Sequence, residues 1–480
     1  MARGARWAVG TTAVVLVLGA GGYAAADAVD AVPGWVTLSP PPPTPAPFPT
    51  PDVDPVPEPG AVVGYLDPAA PLPSADGVQT LARALVADPR TGASTSVLVA
   101  DVLTGEVLAD VGGDVPQVPA STTKLLTAVA AVTALGTERT LPTRVVQAEP
   151  GRVVLVGGGD MLLGAGPGIP DAVNGHAGLT DLAVSTAQAL LAAGATQVSL
   201  GLDDSLFAGP AYSPTWEASY IRYVAPVAAL AVDAGRTNPD VYAVRHADPA
   251  LEGARLFATL LAAQGVTVVG GPVREAAPAG ATQLAAVESA PMRDLVRYMV
   301  QQSDNTVAEA LGRLVAVELG QPGSFEGATR AVLAQVAAQG VDVTGAAIRD
   351  CSGLDAASVI PARVLVDTLV HASAPGNAAL LPVVVDLPVG GWQGTLNDRF
   401  GDGAARGLVR AKTGSLPGVT SLAGTLLTQE GRLLAFAVLA DATGAVGQDR
   451  PRAALDAFVT QLAAVPSGPS AASAAAASGG

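Results

Sequence analysis

The sequence predicts an α+β fold whose main sheet is assembled from both ends of the folded region, with a module inserted between them. Three observations support this prediction: a strand-turn-strand pattern early in the chain, a second one late in the chain, and an amphipathic helix after it. At 480 residues the chain is long enough for two to three folded units. We expect the folded region to cover Val63–Val465.

The early and late strand patterns are typical of hairpins. Ser96–Val102 and Glu106–Ala109 flank a turn at Leu103–Gly105. Ser421–Thr428 and Leu433–Ala440 flank the second turn in the same way. Because these strands come from both ends of the folded region, we expect them to share one sheet.

The helix that follows is predicted over Pro451–Val465. Proline suits the first turn of a helix, and one apolar stripe is formed by Leu455, Phe458, Val459 and Leu462. This stripe is expected to cover one face of the sheet.

The middle of the folded region, residues 139–289, has a different pattern. It contains shorter strand-like runs at Arg152–Val156, Gln197–Leu202 and Val266–Val269, separated by glycine and proline. We therefore predict one or more inserted domains there. The main domain would comprise residues 63–138 and 290–465.

The two termini differ in composition from the folded region. Two arginines precede the uncharged run Trp7–Ala26, so residues 1–26 are predicted to be an export signal peptide or an uncleaved membrane anchor. Either one places the bulk of the chain in the extracytoplasmic envelope, secreted or anchored. The proline-rich residues 27–62 are predicted to be a linker, and the Ser/Ala/Gly tail 466–480 to be disordered.

Composition and charge exclude several classes of function. The net charge of −16 argues against nucleic acid, whose phosphates would repel the chain. The single cysteine, Cys351, is expected to be a small buried residue, and the three histidines lack a metal-ligand spacing, so we predict no metal and no cofactor. Two of the 26 basic residues are lysines, Lys124 and Lys412, and the other 24 are arginines.

Lys124 follows Ser121 by three residues at the start of an apolar run that predicts a helix beginning near Ser121. This spacing puts both side chains on one face, one turn apart. A serine is a weak nucleophile without a base in reach, and a desolvated lysine can be that base, whereas arginine stays protonated. The alternative for this pair alone is a capping serine beside a solvated lysine.

Two further motifs carry polar groups suited to a cleft. Ser303 and Asn305 open a helix-like stretch from Thr306, where the alternative is an N-cap with polar neighbours. Lys412 is predicted at the end of a strand-like run from Leu408, and the residues that continue this motif are Thr413, Gly414 and Ser415. An ammonium and a hydroxyl beside a glycine suit a carboxylate that approaches the backbone closely.

The ordered triple Ser-x-x-Lys, Ser-x-Asn, Lys-Thr-Gly is the signature of penicillin-binding proteins and related β-lactamases. The chain resembles the D-alanyl-D-alanine carboxypeptidase/endopeptidase family, the class C low-molecular-mass penicillin-binding proteins, which are serine peptidases. Further stretches similar to that family are Gly157–Asp160, Asp203–Phe207, Asp350–Leu354 and Leu387–Leu396.

The resemblance implies a serine β-lactamase/transpeptidase-like domain, an α/β sandwich with helices on both faces of the sheet, and an inserted domain between the first two motifs. It also implies that Ser121 attacks the substrate carbonyl and that Lys124 takes its proton, while Ser303 relays a proton and Asn305 holds the substrate amide. Lys412 with Thr413 would bind the terminal carboxylate, and the charge on Lys412 would help to keep Lys124 deprotonated. Backbone N–H groups of Ser121 and Ser415 would form the oxyanion hole.

The expected partners are therefore peptidoglycan stem peptides and β-lactams, and penicillins should acylate Ser121. Two alternatives stay open at this point. A serine β-lactamase would differ by fast deacylation, and a non-catalytic envelope binding protein would not react with penicillin at all.

Overall fold

The structure, a computed structural model, describes residues 18–33, 38, 66–444 and 447–468. The chain divides into two units, Met1–Gly64 and Tyr65–Gly480. In the first unit, residues 18–28 are helical. No helix within the described ranges combines the length and apolar character needed to cross a bilayer. Most of the predicted signal or anchor, linker and tail lies outside these ranges, so those predictions stay predictions.

The strands of the second unit are β1 (Thr95–Asp101), β2 (Val107–Val111), β3 (Pro116–Gln117), β4 (Pro142–Glu149), β5 (Arg152–Val156), β6 (Asp160–Leu163), β7 (Gln197–Asp203), β8 (Leu230–Val232), β9 (Thr267–Val268), β10 (Val273–Arg274), β11 (Thr282–Glu288), β12 (Ile360–Pro361), β13 (Val409–Leu416), β14 (Val419–Leu427) and β15 (Leu433–Ala440).

Its α-helices are α1 (Ala75–Val86), α2 (Lys124–Leu135), α3 (Leu179–Ala192), α4 (Pro249–Ala263), α5 (Met292–Gln302), α6 (Asn305–Glu318), α7 (Phe325–Ala338), α8 (Ala362–Ser373), α9 (Leu381–Val385) and α10 (Asp449–Ala463). Short 3-10 turns cover Ala120–Thr123, Ala218–Arg222, Asp233–Gly235 and Gly394–Leu396.

The main sheet joins strands from both ends of the folded region, as predicted. Its order is β13-β14-β15-β1-β2, and β1 pairs antiparallel with β15 from Thr95 opposite Ala440 to Asp101 opposite Leu434. Both predicted hairpins are present, since β1 pairs with β2 and β14 pairs with β15. Alternate residues of each strand point to opposite faces, so the sheet can bury a helical layer on each side.

Each face of the sheet packs against its own layer of helices. Val97, Val99 and Phe436 point to the face that α1 and α10 cover, with Leu455 and the rest of the predicted stripe buried there. The opposite face packs against α2 and α5–α8. Each fully buried Val or Leu side chain contributes about 1.5–3 kcal/mol to folding. Among the helices, α2 is apolar on nearly all sides and buried on nearly all sides.

A second sheet of order β10-β7-β5-β4-β11, with β9 paired to β7, is built from residues 142–288. The three strand-like runs predicted in this stretch correspond to β5, β7 and β9. Helices α3 and α4 supply the apolar side chains that cover this sheet. Whether residues 139–289 form a separate domain stays a prediction.

The ordered chain continues past Val465, where the disordered tail was predicted to begin. The carbonyl of Pro466 accepts a hydrogen bond from Ser74 N at 2.9 Å, and Gly468 N donates to Leu72 O at 3.1 Å. The backbone of these residues is therefore paired with the segment before α1, which is a sufficient reason for order in a stretch that carries few apolar side chains.

Candidate active site

Ser121 and Lys124 meet as their spacing predicts. Ser121 lies in the 3-10 turn Ala120–Thr123, and the α-helix α2 begins at Lys124 rather than near Ser121. Lys124 Nζ lies 3.1 Å from Ser121 Oγ. The separation of three residues keeps both side chains on one face in either type of helix, so the difference leaves the pair intact.

The position of Lys124 is set by two further hydrogen bonds. Its Nζ donates to Asn305 Oδ1 at 2.6 Å and to the carbonyl oxygen of Ser352 at 2.7 Å. The side chain is fully buried. Burial lowers the pKa of Lys124 to about 8, against the opposing effect of the carboxylates of Asp350, Glu309 and Asp304. An amine with a pKa near neutrality can accept a proton and return it.

Lys412 is the second fully buried lysine of the site. Its Nζ donates to Ser303 Oγ at 2.9 Å and to the carbonyl oxygen of Thr413 at 2.7 Å. Burial, followed by the charge on Lys124, lowers the pKa of Lys412 well below its usual value. Burial is also what lowers the pKa of Lys124, and the implied help from charge on Lys412 stays a prediction.

The Ser303-Asp304-Asn305 motif occupies the break between α5 and α6. Ser303 ends α5 in the left-handed conformation, with φ 54° and ψ 36°. Asp304 is the N-cap of α6, and its carboxylate accepts a hydrogen bond from Val307 N at 3.0 Å. Helix α6 begins at Asn305, one residue before the predicted Thr306. The N-cap alternative and the predicted site contacts therefore coexist here, because Asp304 caps the helix while Ser303 and Asn305 contact the two lysines.

The Lys412-Thr413-Gly414-Ser415 motif lies inside β13 rather than at the end of a strand. Strand β13 is an edge of the main sheet, and its Thr413 Oγ1 donates to Thr395 Oγ1 at 3.0 Å. A Cβ at Gly414 would lie 2.0 Å from Ser421 Oγ and 2.7 Å from the carbonyl oxygen of Pro119. Glycine is thus required for the Ser121 turn to approach the strand.

A second glycine is needed on the other side of the same turn. Gly353 has φ +75°, and a Cβ there would lie 1.8 Å from the carbonyl oxygen of Ala120. Ala120 itself has φ 47°, a conformation that L-residues rarely adopt. The turn that carries Ser121 therefore packs closely against Gly353 on one side and against strand β13 on the other.

The sequence patterns assigned no role to two buried carboxylates near Lys124, those of Glu309 and Asp350. Glu309 accepts hydrogen bonds from Cys351 N at 3.0 Å and from Ser352 N at 2.8 Å. Asp350 accepts from Gly353 N at 2.7 Å and from Trp216 Nε1 at 2.9 Å. Burial, with their mutual repulsion, raises the pKa of Glu309. These carboxylates hold the loop whose Ser352 carbonyl contacts Lys124.

One signal for Glu309 is present in the sequence. It is the charged residue of the otherwise apolar run Val307–Leu311 and follows Asn305 by four residues, which puts both on one helix face. Cys351, beside it, is fully buried, and burial raises the pKa of its thiol. It is the small buried residue that was predicted, and its thiol is unsuited to nucleophilic attack.

The arrangement suits acyl transfer. A serine hydroxyl faces a buried amine, a second serine hydroxyl faces a second amine, and an edge strand offers backbone N–H groups and hydroxyls to a bound substrate. Within the described ranges, no three His, Cys, Asp or Glu side chains converge so as to hold a metal ion.

The chain is similar in sequence to a known peptidase family and to two carboxypeptidases. The sequence matches the profile of the D-Ala-D-Ala carboxypeptidase 3 (S13) family over residues 78–247 and 236–462. It is 40% identical over 412 residues to a carboxypeptidase of Mycobacterium tuberculosis, covering 84% of this chain and 86% of that one. It is 37% identical over 417 residues to carboxypeptidase DacB of Mycolicibacterium smegmatis, covering 84% and 87%.

The fold is similar to that of a solved structure as well. The crystal structure of penicillin binding protein 4 from Haemophilus influenzae matches with a TM-score of 0.65 and 22% identity, over 79% of this chain and 98% of that one. This likeness confirms the predicted fold class.

Proposed function

The chain belongs to the D-Ala-D-Ala carboxypeptidase 3 (S13) family, and we propose that it cleaves the bond between two D-alanines of peptidoglycan stem peptides with Ser121 as nucleophile. It is a serine-type D-Ala-D-Ala carboxypeptidase. One observation carries the assignment of Ser121: its Oγ lies 3.1 Å from the Nζ of a buried lysine whose pKa is near 8.

In the acylation step, neutral Lys124 takes the proton of Ser121 Oγ, and the oxygen attacks the carbonyl carbon of the penultimate D-alanine. Backbone N–H groups of Ser121 and Ser415 stabilise the oxyanion that forms. When the tetrahedral intermediate collapses, the C–N bond breaks, and the amine of the terminal D-alanine leaves with the proton that Lys124 took from Ser121, delivered through Ser303. Asn305 orients Lys124 and the substrate amide.

In the deacylation step, water adds to the ester carbonyl of the acyl-enzyme. Its proton passes to Lys124, and the Ser121 oxygen regains a proton as the ester C–O bond breaks. Side chains of this chain and water account for every bond and proton in both steps.

Thr413, Gly414 and Ser415 bind the terminal carboxylate of the substrate along the free edge of β13. The Nζ of Lys412 donates to Ser303 Oγ and to the Thr413 carbonyl, so it fixes the position of the strand residues that bind the carboxylate. Because a penicillin presents a carboxylate and an acylating carbonyl in a similar arrangement, penicillins acylate the same serine.

The enzyme acts outside the cytoplasm, where its substrate is. The predicted export segment at residues 1–26 supports this location. The relatives from Mycobacterium tuberculosis and Mycolicibacterium smegmatis are both named carboxypeptidases, which fits an enzyme of the cell wall.

The test is labelling with a fluorescent penicillin, followed by mass spectrometry of the labelled peptide. The wild-type protein is expected to carry one label, on Ser121, and Ser121→Ala none. Label on another residue, or none on folded wild-type protein, would refute the proposal.

A second assay separates the enzyme classes. Incubation with monomeric and cross-linked muropeptides should release D-alanine or cleave cross-links, whereas turnover of a chromogenic cephalosporin should stay slow. Fast cephalosporin turnover without peptide cleavage would instead indicate a β-lactamase.

A further inference from the structure

Residues 223–236, within the predicted insertion, bind three consecutive residues at the start of α6. Arg236 Nη2 lies 3.5 Å from Asp304 Oδ2. The carbonyl oxygen of Tyr223 accepts from Asn305 Nδ2 at 3.0 Å, and Ala225 N donates to Thr306 Oγ1 at 2.9 Å. The motif that carries Ser303 and Asn305 is thus bonded to a segment far away in the sequence.

The two segments joined in this way both have strained backbones. Ser303 has φ 54°, and Asp233 and Ala234, just before Arg236, have φ 46° and 51°. The left-handed region costs non-glycine residues about 1–2 kcal/mol each. Such conformations persist only where the surrounding contacts enforce them, and they cluster at functional sites.

Arg236 connects the two strained segments. Its Nη1 donates to Asp233 Oδ1 at 2.8 Å, and Asn174 Nδ2 donates to the same oxygen at 2.6 Å. The side chains of Arg236 and Asp304 are only 8% and 7% exposed, so water screens this ion pair little. The other oxygen of the Asp304 carboxylate caps α6 through Val307 N.

We propose that Arg236 is a positioning residue, which holds Asp304 and thereby places Ser303 and Asn305 against the two lysines. Without the guanidinium, the buried carboxylate of Asp304 loses its ion-pair partner, and the cap of α6 shifts toward water or another partner. Ser303 then leaves its left-handed conformation, and the contacts Ser303–Lys412 and Asn305–Lys124 are lost together. This inference rests on the proposed function.

The first test compares Arg236→Met with Arg236→Lys. The rate constant for acylation and the affinity of the non-covalent complex are measured separately, by stopped flow with a fluorescent penicillin. Arg236→Met should slow acylation about 10- to 100-fold, since misplacement by about 1 Å has effects of this size, while the affinity changes less than about threefold. Arg236→Lys, which keeps the charge, should recover part of the rate.

The second test asks whether Arg236 acts through Asp304. Arg236→Met combined with Asp304→Asn should be no slower than the slower single variant, because both remove the same contact. The matched control is Arg274→Met, which breaks ion pairs with Asp204 and Asp248 in the same part of the chain. This control should acylate at the wild-type rate.

A wild-type acylation rate in Arg236→Met, additive losses in the double variant, or equal slowing in Arg274→Met would each overturn the inference. Thermal unfolding of every variant identifies a loss of rate that only reflects unfolding. Failure of the proposed function looks different, because the wild-type protein itself would then lack label on Ser121.

Discussion

The surroundings of the two lysines differ in charge, although both side chains are fully buried. Lys124 lies near the carboxylates of Glu309, Asp350 and Asp304, which raise its pKa against the larger effect of burial, with a net value of about 8. For Lys412, burial and the charge on Lys124 both lower the pKa, and among the described residues no carboxylate opposes them. Equal burial therefore places the two amines in different electrostatic surroundings.

The difference in surroundings favours different roles for Lys124 and Lys412. An amine that exchanges its proton near neutral pH suits general acid–base catalysis, and Lys124 has that property. Lys412 works through its hydrogen bonds to Ser303 and Thr413, which position the hydroxyl and the edge strand. The two positions should consequently respond differently to the same substitution.

The largest difference is expected between Lys124→Arg and Lys412→Arg. Arginine keeps a positive charge but does not release its proton, so Lys124→Arg should reduce acylation about 10³-fold or more, to background labelling. Lys412→Arg retains donors for Ser303 and should lose about 10- to 100-fold. The measurement is the rate of labelling by fluorescent penicillin, and equal losses would contradict the division of roles.

A smaller effect is expected from Glu309→Gln. In the proposed mechanism acylation needs the neutral amine of Lys124, so in the wild-type enzyme the rate should rise with pH through about 8. The Glu309 carboxylate raises the pKa of Lys124, so its removal should move this rise to lower pH.

The control for that experiment is Glu318→Gln on the same helix. Glu318 is exposed and pairs with Arg139, so its loss should leave the pH profile unchanged. A Glu309→Gln profile identical to that of the wild type would show that the carboxylate does not act on Lys124.

The smallest effect concerns stability. Lys412→Met removes a buried amine whose charged form is stabilised by no carboxylate of the described residues, and it should raise the free energy of unfolding by about 1 kcal/mol. Lys124→Met removes the ammonium that lowers the pKa of the buried Asp350 carboxylate, and it should lower that free energy by about 1–3 kcal/mol. Urea unfolding at pH 7 measures both, and a change of the same sign in the two variants would contradict the comparison.

Local geometry explains why much of the site was predictable. The three-residue spacing of Ser121 and Lys124 defines a helix face whether the turn is α or 3-10, so their contact needs only local structure. The alternation in β14 and β15 marks both as strands for the same reason. The residue types carry the chemistry, because lysine can lose a proton where arginine cannot.

The sequence by itself thus determined the fold class and the polar groups of the site, while the tertiary structure decided how those groups meet. The Asn305–Lys124 contact spans 181 residues, and the Lys412–Ser303 contact spans 109. Packing between distant segments buries Lys124 and thereby lowers its pKa. The same packing brings Glu309 and Asp350 near Lys124 and pairs Arg236 with Asp304. No local spacing encodes such distances, because they are set by how whole helices and sheets pack.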